Sequence, residues 1–225
     1  MEAGDLERYL AELGAELKNR GLKKPVRVLL IGGAYMLLLA NAPRSTKDRD
    51  IFWLDEDGLR RAYAPLRESV QVITQRHGLG ADWLNYLAQM LMYGEVIVPD
   101  GKLWKRFGPL HVYAPASEYI LALKITAGRQ KDLEDCAILL PKTKIRTRQQ
   151  AQQVLDRYIL PEGQQKNAET VENALDRLFG REACLCNLKL CDSWHKITLI
   201  GTENRNRSLQ RSIPSRAPTN ESGRE

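Results

Sequence analysis

Two aspartates, Asp48 and Asp50, stand two residues apart in the short segment Asp48-Arg49-Asp50-Ile51-Phe52-Trp53. Side chains alternate on a β-strand, so both carboxylates would face one side and Arg49 the other. Carboxylates held side by side repel each other, and a cation between them relieves the repulsion. Such a pair suits a hard ion like Mg²⁺ that also grips substrate phosphates. Upstream, the apolar run Val26 to Ile31 ends abruptly in Gly32-Gly33. Missing side chains where a strand hands over to a helix let bare N–H groups at the helix N-terminus approach an anion. A phosphate at the glycines and a metal at the carboxylates together describe a nucleoside triphosphate site.

Three elements must position these groups. Val26 to Ile31 reads as a strand, and Ala34 to Ala42 as an apolar helix-length run stopped by Pro43. Residues 48–53 then form a second strand. Apolar on all sides, the helix belongs behind a sheet. The polar turn between helix and second strand carries Arg44, Ser45 and Thr46. Their groups either hold phosphates at the mouth of the strand or cap the local backbone as ordinary turn residues.

This order resembles the nucleotidyltransferase superfamily signature, an apolar strand with Gly-Gly followed by D-x-D on the next strand. More narrowly, G-G-A…R-S-T-K-D-R-D-I with the later K-I-T-A-G-R-Q-K-D-L-E-D is similar to the AbiEii and MenT toxins of toxin–antitoxin systems. The resemblance spans roughly residues 25–140. It implies a minimal nucleotidyltransferase fold of the α/β (α+β) class, a small mixed sheet flanked by helices. It further implies Mg²⁺-dependent transfer of a nucleoside monophosphate from an NTP to a hydroxyl, on a tRNA end or a protein, and a cognate antitoxin. In these toxins a Ser or Thr placed like Ser45 and Thr46 helps hold the phosphates.

The second motif begins in Ala116 to Gly128, a strongly apolar helix with Lys124 in its middle. An ammonium among Ile120, Leu121, Leu123 and Ile125 needs a compensating charge. A polyphosphate or the aspartate pair would supply it; otherwise the lysine snorkels to water. The resembled family has a lysine here, which implies phosphate binding. Arg129 follows the helix-ending Gly128 with a guanidinium suited to phosphate oxygens. In the next helix, Lys131 to Leu140, Asp132, Asp135 and Leu139 fall on one face and Leu133, Cys136, Ala137 and Leu140 on another. Asp132 near the helix start also suits the helix dipole. The resemblance gives an aspartate of this motif an active-site role, carried first to Asp135 and second to Asp132, beside the metal or as general base. Lys131 is an additional candidate.

The superfamily usually carries a third carboxylate on a later strand. The strand Leu110-His111-Val112-Tyr113 has none. His111 would be a base at neutral pH or simply a strand histidine facing solvent. Absence of that carboxylate keeps a second reading open, a catalytically degenerate fold retained for binding. A dinucleotide-binding domain fits poorly, because Gly32-Gly33 lacks the G-x-G-x-x-G spacing.

The remaining chain supplies scaffolding. Asp5 to Arg20 reads as an amphipathic helix with Asp5 as N-cap, Leu59 to Arg76 as a helix at risk of breaking at Pro65, and Trp83 to about Met92 as another. Glu95 to Pro99 is a strand candidate. Thr147 to Leu160 and Ala168 to Phe179 read as amphipathic helices. The expected organisation is a core over 1–140, a C-terminal helical region over 141–200 and a disordered tail over 201–225. The formal charge is +6 and the pI about 9.2, a mild basic excess compatible with an RNA or nucleotide partner. No apolar run reaches the ~20 residues of a membrane span. Nor does the N-terminus read as a signal peptide, so the expected compartment is the cytoplasm. Cys136 is expected to pack as a small core residue. Cys184, Cys186, Cys191 and His195 form a cluster whose spacing is not that of a standard zinc site.

Overall fold

The structure is a computed structural model, and it describes residues 2–42 and 49–180. Within the unit Met1–Arg181, a four-stranded mixed sheet lies between two helical layers. Its strands are β1 (Val26–Ile31), β2 (Arg49–Trp53), β3 (Lys102–Phe107) and β4 (Leu110–Ala114), in the order β2-β1-β4-β3. β1 runs antiparallel to β2 and parallel to β4, and β3 closes the sheet as an antiparallel edge. This is the expected mixed α/β class.

The alternation of the strands sorts the core onto two faces. Val26, Val28, Leu30, Ile51, Trp53, Leu110 and Val112 point toward α1 (Ala3–Asn19) and α3 (Glu56–His77). Leu29, Ile31 and Phe52 point the other way, toward α5 (Ser117–Ala127), α6 (Gln130–Leu139), α7 (Arg148–Tyr158) and α9 (Ala168–Phe179). Asp50 has the parity of Phe52 and therefore belongs to this second face. Helix α5 is buried on every side from Tyr119 to Thr126, which accounts for its apolar circumference. The helices at 141–180 pack into this same core through Val154, Leu155, Val171 and Leu175, rather than forming a region apart from residues 1–140. Between α7 and α9 lies the short α8 (Pro161–Lys166), which the sequence pattern did not suggest.

Several local expectations are corrected. Asp5 does not cap α1; Glu2 does, and the Asp5 side chain accepts from the Glu2 N–H at 3.5 Å. Helix α2 starts at Gly32 and ends at Leu38, so it is shorter than the apolar run. Helix α3 continues through Pro65, with Ala62, Leu66, Val70 and Ile73 buried along one side. The stretch from Trp83 forms turns, and only Ala88–Leu91 (α4) is helical. Here Trp83 is fully buried and its indole N–H donates to the Val70 carbonyl at 3.3 Å. Tertiary burial has overridden helical periodicity. Glu95 to Pro99 is not a strand; Val96 makes one isolated bridge to Ile159. The true third strand, Lys-Leu-Trp-Lys-Arg-Phe, is a partly exposed edge. Lysines on an edge discourage pairing with another chain.

Candidate active site

The site starts at the end of β1. Register pairs Ile31 with Asp50, and a further bridge joins Gly32 to Arg49. Gly32 has φ +60°, in the left-handed region, and opens α2. A Cβ on it would lie 2.5 Å from Asp50 Oδ2. Only glycine therefore permits both the backbone turn and the close approach of the carboxylate. Gly33 is buried within α2.

Asp50 is fixed from its other side by Asn85, whose Nδ2 donates to Oδ1 at 2.7 Å. The backbone of Asn85 is itself tied to β2: its N–H donates to the Arg49 carbonyl at 2.8 Å, and its carbonyl accepts from Ile51 N–H at 3.1 Å. Arg49, on the opposite face as its parity requires, is buried and donates from Nε to the Trp83 carbonyl at 2.5 Å. The turn 83–85 thus locks two successive residues of β2, one on each face. Asn85 was not singled out from sequence. An isolated asparagine in a turn-forming stretch carries no signal of a carboxylate 35 residues upstream in the chain.

The second group comes from the α5–α6 hairpin. Gly128 ends α5 with φ +57°, its N–H donating to the Lys124 carbonyl at 3.0 Å. Arg129 is the N-cap of α6. The reversal folds α6 back on α5 and buries three charges together. Lys124 Nζ lies 2.7 Å from Asp132 Oδ1 and 2.9 Å from Asp135 Oδ2. Arg129 Nε lies 2.5 Å from Asp132 Oδ2. Lys124, Asp132 and Asp135 are all buried, whereas the Arg129 side chain is 57% exposed. Lys124 does not snorkel; its charge is compensated inside the protein by the two acids of α6. Asp132, Leu133, Asp135, Cys136 and Leu139 make up one buried face of that helix, not two separate ones.

Burial alone would push the Lys124 pKa down, but its hydrogen bonds and charge interactions with Asp132 and Asp135 outweigh this and raise it. Burial would likewise raise Asp132, but hydrogen bonds from Arg129 and Lys124 hold it below the usual carboxylate range. Both groups are ionised at neutral pH. Beneath them the Cys136 thiol is fully buried and pushed up to about 12 by burial, as befits a core residue.

The two groups meet. Gly32, Asp50, Lys124, Arg129 and Asp132 line one cleft of about 110 Å³, with Ile31, Met92, Ile120, Leu123 and Ala127 as its apolar wall. Asp132 rather than Asp135 lines the cleft; Asp135 lies behind Lys124 as its second partner. Lys131 is exposed on the outer side of α6 and is not among the lining residues. His111 is also elsewhere. It pairs with Arg27, four residues along β1 from Ile31, or about 13 Å at the rise of a strand. Burial and the nearby Arg106 and Arg27 lower its pKa. Arg44, Ser45, Thr46 and Asp48 lie outside the described residues, as do Cys184, Cys186, Cys191, His195 and the tail.

Among the described residues, no group of three or more His, Cys, Asp or Glu could hold a metal ion, and no helix is long and apolar enough to cross a membrane. Comparison with protein-family models, curated proteins and solved structures finds no match.

Proposed function

We propose that this cleft binds a nucleoside triphosphate and transfers its nucleoside monophosphate to a hydroxyl acceptor. The observation that carries the reading is the meeting of Gly32 and Asp50 from one end of the chain with Lys124, Arg129 and Asp132 from another. Their common cleft presents a carboxylate on one side and cations on the other, as a metal-bridged polyphosphate requires. The sequence resemblance to AbiEii and MenT toxins supports the same reading. It extends it to a toxin with a tRNA-end or protein acceptor, a cognate antitoxin and a cytoplasmic setting.

Asp50 fits a hard cation: its donor atoms are oxygens, and one oxygen is oriented by Asn85. With Asp48 as the expected second ligand, Mg²⁺ would neutralise phosphate charge as the α-phosphorus is attacked. The chain's own residues do the rest. Arg129, held by Asp132 yet more than half exposed, presents its guanidinium to phosphate oxygens. Lys124 spends two of its three N–H donors on Asp132 and Asp135, so it acts chiefly as a fixed positive charge beneath the phosphates. Arg44, Ser45 and Thr46 would complete the phosphate contacts, with the helix start at Gly32-Gly33. The acceptor oxygen forms a bond to the α-phosphorus, the α–β bridging bond breaks, and pyrophosphate leaves. The hydroxyl proton passes to a carboxylate of the cleft. Asp132 is the cleft carboxylate left for this role, since Asp50 is assigned to the metal and Asp135 is buried behind Lys124.

The test is incubation of the purified protein with each α-labelled NTP, Mg²⁺ and bulk RNA or protein, followed by mass spectrometry of both. Covalent nucleoside monophosphate on either acceptor supports transfer. One observation favours a second reading, a degenerate fold that binds without catalysis: Lys124 is already neutralised by two buried acids and is not waiting for a ligand. Saturable NTP binding without any labelled product would select that reading.

A further inference from the structure

On the cleft-side face of the sheet, at the opposite end of the strands, three basic side chains stand side by side. Register places Arg106 of β3 beside His111 of β4, and His111 beside Arg27 of β1. Adjacent strands are about 4.8 Å apart, so the row spans about 10 Å. Two guanidiniums thus flank one imidazole, whose pKa burial and both arginines hold down. Yet no ion pair or hydrogen bond from the side chain of Arg27, Arg106 or His111 to an acid occurs among the described residues. The Arg27 guanidinium instead lies over the Tyr113 ring, 5.0 Å from its centroid. Asp55, close along the chain from Leu54, whose N–H bonds the Arg27 carbonyl, is engaged as the N-cap of α3 by Gly58 N–H. Arg106 is exposed, and Arg27, His111 and Tyr113 are half-buried. This is a flat, cationic strip with an aromatic ring set into it, left without an internal counter-charge.

We propose that this strip binds the phosphodiester backbone of a single-stranded nucleic acid, with Arg106 and Arg27 on two of its phosphates and Tyr113 beside a base. Cations interleaved with an aromatic on an open sheet form the stacking platform that single strands use. An acidic peptide would find the same charge, but no use for the ring beneath Arg27. The chain's net charge of +6 points the same way. The strip shares its sheet face with the cleft, so a strand held there lies on the side from which an acceptor would approach.

Binding is read without any nucleotide, by fluorescence anisotropy of a labelled oligouridylate on the full chain across a salt series, so the outcome is independent of the cleft's chemistry. The double variant R27Q/R106Q is expected to bind about tenfold more weakly, and its slope of log affinity against log salt to flatten by about 1.4, two phosphates' worth on a single strand. R106Q alone, at an exposed edge position that folding does not need, should flatten it by about 0.7. R27K/R106K should retain most of the affinity, and K142Q/K144Q, which removes the same charge elsewhere, should bind as the unaltered chain does. Unchanged affinity and slope in both R106Q and R27Q/R106Q would overturn the proposal. So would equal loss in K142Q/K144Q, or a labelled polyglutamate peptide that binds as tightly as the oligouridylate.

Discussion

Lys124 Nζ and Asp132 Oδ1 lie 2.7 Å apart, eight residues apart in sequence, on two helices joined by the turn at Gly128. Asp135 adds a second carboxylate at 2.9 Å. The lysine that reads from sequence as a phosphate ligand is, in the fold, also the centre of a buried ion cluster. Its removal therefore tests stability as well as binding.

Lys124→Ala should destabilise the protein by about 3–5 kcal/mol, because two buried carboxylates lose the ammonium they share, Asp132 keeping its bond to Arg129. Urea denaturation of the variant checks this. In a D132N/D135N background the same substitution should cost much less, since no buried anion is left behind. Equal costs in both backgrounds would mean that the cluster is not energetically coupled.

The same cluster gives stability a defined pH window. The folded Asp132 pKa is depressed below 3.8, so its contribution is complete above that value and is lost as pH falls through the depressed one. Lys124 is raised above 10.5, so its contribution is complete below that value and is lost as pH rises through the raised one. Glu12, lowered by its hydrogen bond to His77, adds to the acid limb. Denaturation midpoints should be flat near neutrality and fall at both extremes. D132N should weaken the acid limb and leave the Glu12 part of it.

Asp50→Asn should abolish nucleotide transfer while leaving the fold intact. The amide oxygen of the new side chain can still accept from Asn85, so the link to the 83–85 turn survives. A thermal midpoint close to that of the unaltered chain, with no labelled product, is the expected pair of results. Full transfer activity would remove Asp50 from the site.

Gly32→Ala should destabilise by about 1–2 kcal/mol through the left-handed backbone alone. It should also displace the Asp50 carboxylate, which the new methyl would meet at 2.5 Å. NTP affinity should therefore fall in Gly32→Ala. Loss of stability with unchanged affinity would show the glycine to be purely conformational.

Much of this fold was legible in the residues. Val26 to Ile31, the Gly-Gly break and the run up to Trp53 announce strand, helix and strand, because short apolar runs bounded by glycine and proline leave the chain few alternatives. Helix α5 declares its burial by being apolar on all sides. What resisted reading was set by partners distant in sequence. The 83–92 stretch has helical spacing, but burying Trp83 beneath α3 and binding β2 through Asn85 outweighed that propensity. The edge strand Lys102–Phe107 carries too many charges to resemble a strand until a neighbour supplies its hydrogen bonds.

The sequence by itself determined the chemistry on offer: aspartates spaced for one strand face, a diglycine at a strand end, and a lysine and arginine ahead of two more acids. Tertiary structure alone decided which of these share a cleft and in what state of charge. Alternation along a strand fixes which way Asp50 points. Only the packing of α5 and α6 against that face brings Lys124 and Arg129 to it, and only the α5–α6 reversal commits Asp132 and Asp135 to the lysine. Such pairings depend on distances across the fold, which local periodicity does not encode.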